Sequence, residues 1–184
     1  MGKSTVTHDF HEQLAYSQEV SAEGFWDAVY RAAYPDLLCH MATNADSQAQ
    51  RLGIDRVLFF RSGLARNVDE KKRRTTYDPP DFLLEYVSND KTGAKGWVEK
   101  DLQIDVLAYA FMDSRTVYLL HWTDIRRVWS HFREKWIATA EGGGDENISN
   151  VKHARNEGYD TLSLTVEREY FLGLLGRAQR VVIP

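Results

Sequence analysis

The spacing of apolar residues predicts a helix near the start of the chain, over residues 22–34. Ser21 is a candidate N-cap, and Pro35 would end the helix, since proline disfavours helical backbone in the residue before it. The apolar stripe of this helix recurs at three- and four-residue spacing and consists of Phe25, Trp26, Val29, Tyr30 and Ala33. Residues 1–20 are polar and are expected to be peripheral or flexible.

A strand pattern follows this helix. Residues 54–61 contain an apolar run on both faces, which is typical of a central strand that is covered on both sides. A turn at 61–63 leads to a returning strand over 64–73, and a third strand is predicted over 82–87. Because a short glycine-containing turn joins the first two strands, we expect them to form a hairpin.

The second half of the chain alternates in the same way between strand and helix patterns. The predicted elements are a hairpin of strands at 106–112 and 116–122, a helix over 125–138 capped by Asp124, a strand around 162–166 and a short helix at 170–175. A run of three glycines predicts a mobile loop over 141–150. Without a repeat or a long linker, residues 1–184 are expected to form one α+β domain.

Composition narrows the class of protein. Of the 184 residues 43% are hydrophobic, which is enough for a core, but no run approaches the ~20 apolar residues of a membrane helix. The start of the chain lacks the apolar segment of a secretory signal, and the single Cys39 cannot form an internal disulfide, so a cytoplasmic protein is predicted. The net charge of -4 argues against a strongly basic nucleic-acid binder, but it is compatible with carboxylates kept for a metal.

The predicted hairpin would bring two carboxylates and one ammonium group together. Asp55 stands at the entry to the first strand, while Asp69 and Lys71 share one face of the second, because side chains alternate along a strand. Carboxylate oxygens suit Mg²⁺ or Mn²⁺, whose bound water can attack a phosphodiester, and a lysine can orient that water or offset the developing charge. Glu85, in the third predicted strand, is a further ligand or lysine partner.

Other interpretations of these residues are open. Glu70 and Lys72 lie on the opposite face of the strand and would form the equivalent pair if the register were shifted. The segment 68–74 would alternatively be a charged, solvated edge strand. Glu85 would alternatively form a structural ion pair, because a buried carboxylate requires a partner.

The order of Asp55, a hairpin and then Asp69-x-Lys71 resembles the PD-(D/E)XK nuclease superfamily. The chain is similar to little-studied phage and bacterial members over roughly residues 46–122, at Asp46, Gln50, Gly53-Ile54-Asp55, Val68-Asp69-Glu70-Lys71, Leu84-Glu85, Gly96-Trp97 and 105–111. The resemblance implies a restriction-endonuclease-like core of a helix, three antiparallel strands, a helix and a further strand. It also implies an acid on the first helix, Glu23 or Asp27, and an apolar residue where this chain has Glu70.

The resulting expectation is a Mg²⁺- or Mn²⁺-dependent endo- or exonuclease that acts on DNA, or on RNA. The residues assigned to catalysis are Asp55, Asp69, Lys71 and Glu85, of which the two aspartates would hold the metal. The residues expected to contact nucleic-acid phosphates are Lys72, Arg73 and Arg74. The alternative is a nuclease-fold protein without catalysis that binds nucleic acid or a protein partner, such as a phage-encoded interaction module.

Overall fold

The computed structural model describes residues 23–74 and 80–184, and within them the chain forms two sheets and several helices. The helices are α1 (Glu23–Ala33), α2 (Ser47–Arg51), α3 (Trp122–Glu141) and α4 (Arg168–Leu175), with a 3₁₀ turn at Trp97–Glu99. The strands are β1 (Leu37–Ala42), β2 (Arg56–Phe60), β3 (Ala65–Arg73), β4 (Asp81–Asn89), β5 (Ala94–Lys95), β6 (Val106–Phe111), β7 (Thr116–His121), β8 (Lys152–Asn156), β9 (Tyr159–Glu167) and β10 (Gln179–Val182). The predicted α+β class is confirmed.

The larger sheet has six strands in the order β1-β2-β3-β6-β7-β10, and the smaller has four in the order β5-β4-β9-β8. Neighbouring strands are antiparallel except β3 and β6, which run parallel. Parallel neighbours need a long crossover. Here β4, β5 and the 3₁₀ turn supply it, so this crossover carries the chain into the second sheet before it returns as β6.

The two faces of the six-stranded sheet are covered differently. Helix α1 covers one face, where Trp26 and Tyr30 pack against Val68 and other small side chains of the sheet. The second sheet and helices α3 and α4 cover the other face, where Phe82 meets an aromatic cluster of Tyr109, Phe111, Tyr118 and Phe171. Side chains of β3 therefore alternate between two buried environments.

Several predicted elements match the structure. The helix expected over 22–34 is α1, the first hairpin is β2–β3, and the second hairpin is β6–β7. The strand expected at 82–87 is β4, but it belongs to the second sheet and does not continue the meander. The third strand of the antiparallel meander is instead β1, which the sequence pattern did not predict.

Two further expectations differ from the structure. Helix α3 begins at Trp122 with His121 as its N-cap, so Asp124 lies inside the first turn and does not cap the helix. Asp124 instead pairs with Arg177. The resemblance also implied a helix between the third and fourth core strands, whereas residues 80–105 form β4, β5 and a 3₁₀ turn and contain no α-helix. Among the described residues, no helix is both long and apolar enough to cross a membrane.

Trp136 on α3 is expected to be one of the main contributors to stability. Its ring is 1% exposed and lies 5.4 Å from that of Phe132 and 6.1 Å from that of Phe171. Trp136→Ala should lower the free energy of unfolding by about 3–5 kcal/mol, because it removes apolar contacts and leaves a cavity. Urea denaturation measures the change. The control is exposed Lys135→Ala, which should change stability by less than about 0.5 kcal/mol.

Candidate functional site

The β2–β3 hairpin places Asp55 beside Asp69. Arg56 pairs with Val68 in the antiparallel register, and the Asp55 amide donates to the Val68 carbonyl at 2.9 Å. One residue further along this register, Asp55 stands opposite Asp69. Directly opposed residues of an antiparallel pair project to the same face. The two carboxyl groups therefore lie on the face of the larger sheet that is turned towards the second sheet.

The backbone before β2 is held in place so that Asp55 has a defined orientation. Its Oδ2 accepts a hydrogen bond from the Glu70 amide at 2.8 Å. The Thr43 hydroxyl donates to the Ile54 carbonyl. Gly53 has a φ of +75°, and a Cβ there would lie 2.7 Å from Leu102, so this position of the Gly53-Ile54-Asp55 segment favours glycine.

Asp69 is the most deeply buried acid of the site. It is 2% exposed, and its Oδ1 accepts a hydrogen bond from the Lys71 ammonium at 2.5 Å. Burial raises the pKa of Asp69 to about 6. The charge of Lys71 opposes this shift, and the charge of Asp55 adds to it. Two neighbouring carboxylates favour sharing a proton or a cation, because their charges repel.

Lys71 keeps its charge in this setting. Burial acts to lower the pKa of Lys71, but the charges of Asp69 and Asp55 more than offset that effect, and the pKa is raised. The charge of Glu85 raises it further. Although 32% of the Lys71 side-chain surface is exposed, the ammonium points inward to Asp69. The site therefore holds a cation beside two acids.

Glu85 reaches the same region from the second sheet. Burial raises the pKa of Glu85, while the charges of Lys100 and Lys71 and a hydrogen bond from the Trp97 backbone lower it. A Cβ on Gly96 would lie 2.2 Å from the Glu85 carbonyl, so only glycine allows this close approach of the two backbones. This contact explains the glycine at position 96.

Lys100 is a candidate residue that sequence reasoning missed. It follows the 3₁₀ turn, is exposed, and is the first of the two lysines whose charges act on Glu85. The only feature that could have suggested Lys100 is its position shortly after Gly96-Trp97. The sequence around Lys100 does not indicate that it lies near strand β4.

The donor atoms present fit a hard divalent cation. The Oδ2 of Asp69 is buried and has no hydrogen-bond partner among the described residues, which is costly for a carboxylate oxygen. No cluster of three or more His, Cys, Asp or Glu side chains suited to a metal occurs within 23–74 and 80–184. Two carboxylates are nevertheless enough for Mg²⁺, which commonly keeps several waters and takes only one or two protein carboxylates.

Glu70 lies on the opposite face of the sheet, against helix α1. Its carboxylate accepts hydrogen bonds from Arg56 at 2.6 Å and from the Tyr30 hydroxyl at 2.9 Å. Burial raises the pKa of Glu70, and the hydrogen bond and charge of Arg56 oppose this. The geometry therefore pairs Lys71 with Asp69 and places Glu70 in a separate buried ion pair.

Asp27, one of the two candidate acids of the first helix, lies on the α1 face of the sheet and not at the site. Asp27 bonds to Arg31 at 2.8 Å and to His40 at 2.9 Å, and His40 in turn contacts Arg56 at 3.0 Å. These contacts link Asp27 to the network of Glu70 on the α1 face. Glu23 is the first residue of α1, and its side chain lies outside the described part of the structure.

The three residues expected to contact phosphates differ in exposure. Arg73 is largely buried and forms an ion pair with Asp81, so it is poorly placed for a phosphate outside the fold. Lys72 is half-buried, and burial lowers the pKa of its ammonium. Arg74 is exposed and immediately precedes residues 75–79, which are outside the described ranges.

The raised pKa of Asp69 predicts a pH-dependent stability for the metal-free protein. Between the ordinary value of 3.8 and about 6, the unfolded carboxyl has lost its proton while the folded one retains it. Stability from this group is therefore complete below pH ~4 and is lost as the pH rises through ~6, on the order of 3 kcal/mol in total. Denaturation at several pH values should show this loss in wild type and in exposed Asp101→Asn, and a smaller loss in Asp69→Asn, where the raised pKa values of Glu70 and Glu85 remain.

The comparisons with known proteins add no relative. The sequence matches no protein-family model, and the searches of curated proteins and of solved structures found no match. The interpretation of the site therefore depends on its own residues and geometry.

Proposed function

We propose that this protein is a metal-dependent nuclease that hydrolyses phosphodiester bonds of DNA. The observation that carries the proposal is the meeting of Asp55, Asp69 and Lys71 on one face of the β2–β3 hairpin, with an unpartnered Asp69 oxygen among them. A buried acid beside a second, partly buried acid and an ammonium group is costly to stability, and such an arrangement is typical of functional sites.

Each residue has a chemical role in this proposal. Asp55 and Asp69 would hold Mg²⁺ or Mn²⁺, which supplies a water of lowered pKa and charge stabilisation at the phosphate. Lys71 would orient the attacking water and offset negative charge that develops in the transition state. Glu85 would keep Lys71 in place, and exposed Lys100 and Arg74 would contact the phosphates of the strand.

The setting that we propose is the cytoplasm, since the one cysteine, Cys39, is a free thiol. Members of the superfamily that the motif resembles mostly cut DNA or RNA, and RNA is the alternative substrate in this proposal. Neither preference affects the roles of the residues.

A cleavage assay tests the proposed function. Wild-type protein is incubated with supercoiled plasmid, linear duplex, single-stranded DNA and RNA, each with Mg²⁺, Mn²⁺ or EDTA. Cleavage that needs the divalent ion and stops in EDTA is the expected result. Absence of cleavage on every substrate would contradict it and favour the alternative of a nuclease-fold protein that only binds nucleic acid or a protein.

A further inference from the structure

A second site with cationic side chains lies on the α1 face of the six-stranded sheet, away from Asp69. It is a cavity of about 250 Å³ whose floor is formed by Val106 and Leu119. Arg66, His121 and Arg177 line it together with Tyr34, and we call this cavity the arginine pocket. Its residues come from β3, β6, β7 and the segment after α4, so the pocket depends on the tertiary fold.

Arg66 is held in the pocket by aromatic rings, and it forms no ion pair with an acid within residues 23–74 and 80–184. Its guanidinium carbon lies 5.6 Å from the centre of the Tyr34 ring and 5.4 Å from that of Phe60. Burial raises the pKa of Tyr34, and the neighbouring Arg66 charge opposes that shift. Stacking on rings fixes the direction of a guanidinium but leaves its positive charge in place.

Arg177 contributes the second guanidinium. It forms an ion pair through Nε with Asp124 Oδ2 at 2.7 Å, while 65% of its side-chain surface is exposed. Because Nε makes this contact, the two terminal nitrogens can bind another acceptor. Asp124 also lies 3.9 Å from Arg127, so one carboxylate is shared by two arginines.

The charges of Arg66 and Arg177 both lower the pKa of the His121 imidazole. Burial lowers the pKa of His121, and the charges of Arg177 and Arg66 lower it further, against a smaller raising effect of Asp124. No carboxylate is among the described residues that line the pocket. The pocket therefore has a positive potential that the neighbouring acid does not balance.

We propose that the arginine pocket binds a phosphate monoester. A dianion matches two guanidiniums, and each guanidinium can donate two parallel hydrogen bonds to phosphate oxygens. The apolar floor and the Tyr34 ring would contact the carbon atoms attached to the phosphate. The ligand is either a free small phosphate or the terminal phosphate of a nucleic-acid strand. This proposal does not depend on cleavage at Asp55 and Asp69, because it uses the opposite face of the sheet.

Isothermal titration of the full chain tests this proposal, with inorganic phosphate and thymidine monophosphate as free ligands. The second arm compares one oligonucleotide with and without its 5′-phosphate. Arg177→Gln is the main variant, since its exposed side chain can be changed with little effect on folding, and Arg66→Gln is the second. Arg155→Gln, exposed on β8, is the matched control.

Wild type and Arg155→Gln are expected to bind the phosphate ligands equally, and Arg177→Gln at least about tenfold more weakly. Preference for the 5′-phosphorylated oligonucleotide over free phosphate would identify the strand end as the ligand; the reverse would identify a small phosphate. Absence of binding at millimolar phosphate, or equal binding by wild type and Arg177→Gln, would overturn the proposal. Thermal melts confirm that each variant is folded.

Discussion

Lys71→Ala is expected to lower the rate of phosphodiester cleavage by ~100-fold or more, at saturating metal and substrate. The lysine ammonium is the cation next to the two acids, 2.5 Å from Asp69. Without it, the attacking water loses its orientation and the developing charge loses a positive partner. Single-turnover cleavage measures the effect, because it reports the chemical step separately from product release.

The fold should survive this substitution. Burial already raises the pKa of Asp69 to about 6, and loss of the Lys71 charge would raise it further. Asp69 can then take up a proton, and no uncompensated buried charge remains. Thermal melts should therefore show a folded Lys71→Ala protein, and gel-shift assays should show nucleic-acid binding similar to that of wild type.

Two further variants test whether the loss of cleavage comes from the position of Lys71 at the site or from the loss of any positive charge on the protein. Asp69→Asn should be equally inactive and should also bind Mn²⁺ more weakly in a calorimetric titration, because it removes a charged ligand. Exposed Lys152→Ala on β8 should cleave like wild type. Undiminished cleavage by both Lys71→Ala and Asp69→Asn would remove the proposed mechanism.

The hairpin part of the site could be predicted from the sequence because strand geometry is local. Side chains alternate along a strand, so Asp69 and Lys71 had to share a face, and the short turn had to return the chain beside Asp55. The choice between Asp69 and Glu70 could not be made locally, since both alternate environments are buried. That choice depends on helix α1, where Arg56 and Tyr30 bind Glu70.

Glu85 was predicted as a site residue, but its route to the hairpin and the part played by Lys100 could not be predicted from the sequence. Strand β4 lies in a different sheet from β3, and its route across the larger sheet is set by pairing with β9, almost eighty residues later in the chain. Such long-range pairing has no local signal. Gly96 belongs to the resemblance, but its close approach to the Glu85 carbonyl could not be predicted from the sequence.

Strand β1 was missed for a different physical reason. Its sequence does not alternate between apolar and polar residues, and Leu38 and Met41 are more than half exposed. An edge strand has one unpaired side, and pairing with β2 fixes it more than burial of its side chains does. Periodicity therefore carries little information at this position.

The second large effect is expected on replacement of Glu70, which should lower the stability of the fold and not act directly on catalysis. Glu70→Ala should lower the free energy of unfolding by about 3–5 kcal/mol, because Arg56 is 5% exposed and its buried charge would lose the carboxylate that it pairs with at 2.6 Å. Tyr30→Phe removes a single hydrogen bond to the same carboxylate and should cost about 1 kcal/mol. Urea denaturation at constant pH compares the two.

A double variant separates the cost of an unpaired charge from the loss of packing. Replacing both partners, as in Arg56→Met with Glu70→Leu, removes the two charges of the buried ion pair together. The double variant should be more stable than Glu70→Ala, since apolar replacement of a buried pair is often neutral or stabilising. Equal losses in the two proteins would mean that packing and not charge dominates this position.

The same variants decide between the two possible registers of the catalytic pair. The Glu70 amide donates to Asp55 Oδ2, and this backbone contact does not require the Glu70 side chain. Tyr30→Phe and the double variant should therefore retain most cleavage activity at a temperature where they are folded. If Glu70→Gln instead abolished cleavage with unchanged stability while Asp69→Asn remained active, Glu70 and Lys72 would be the catalytic pair, and the assignment to Asp69 and Lys71 would be wrong.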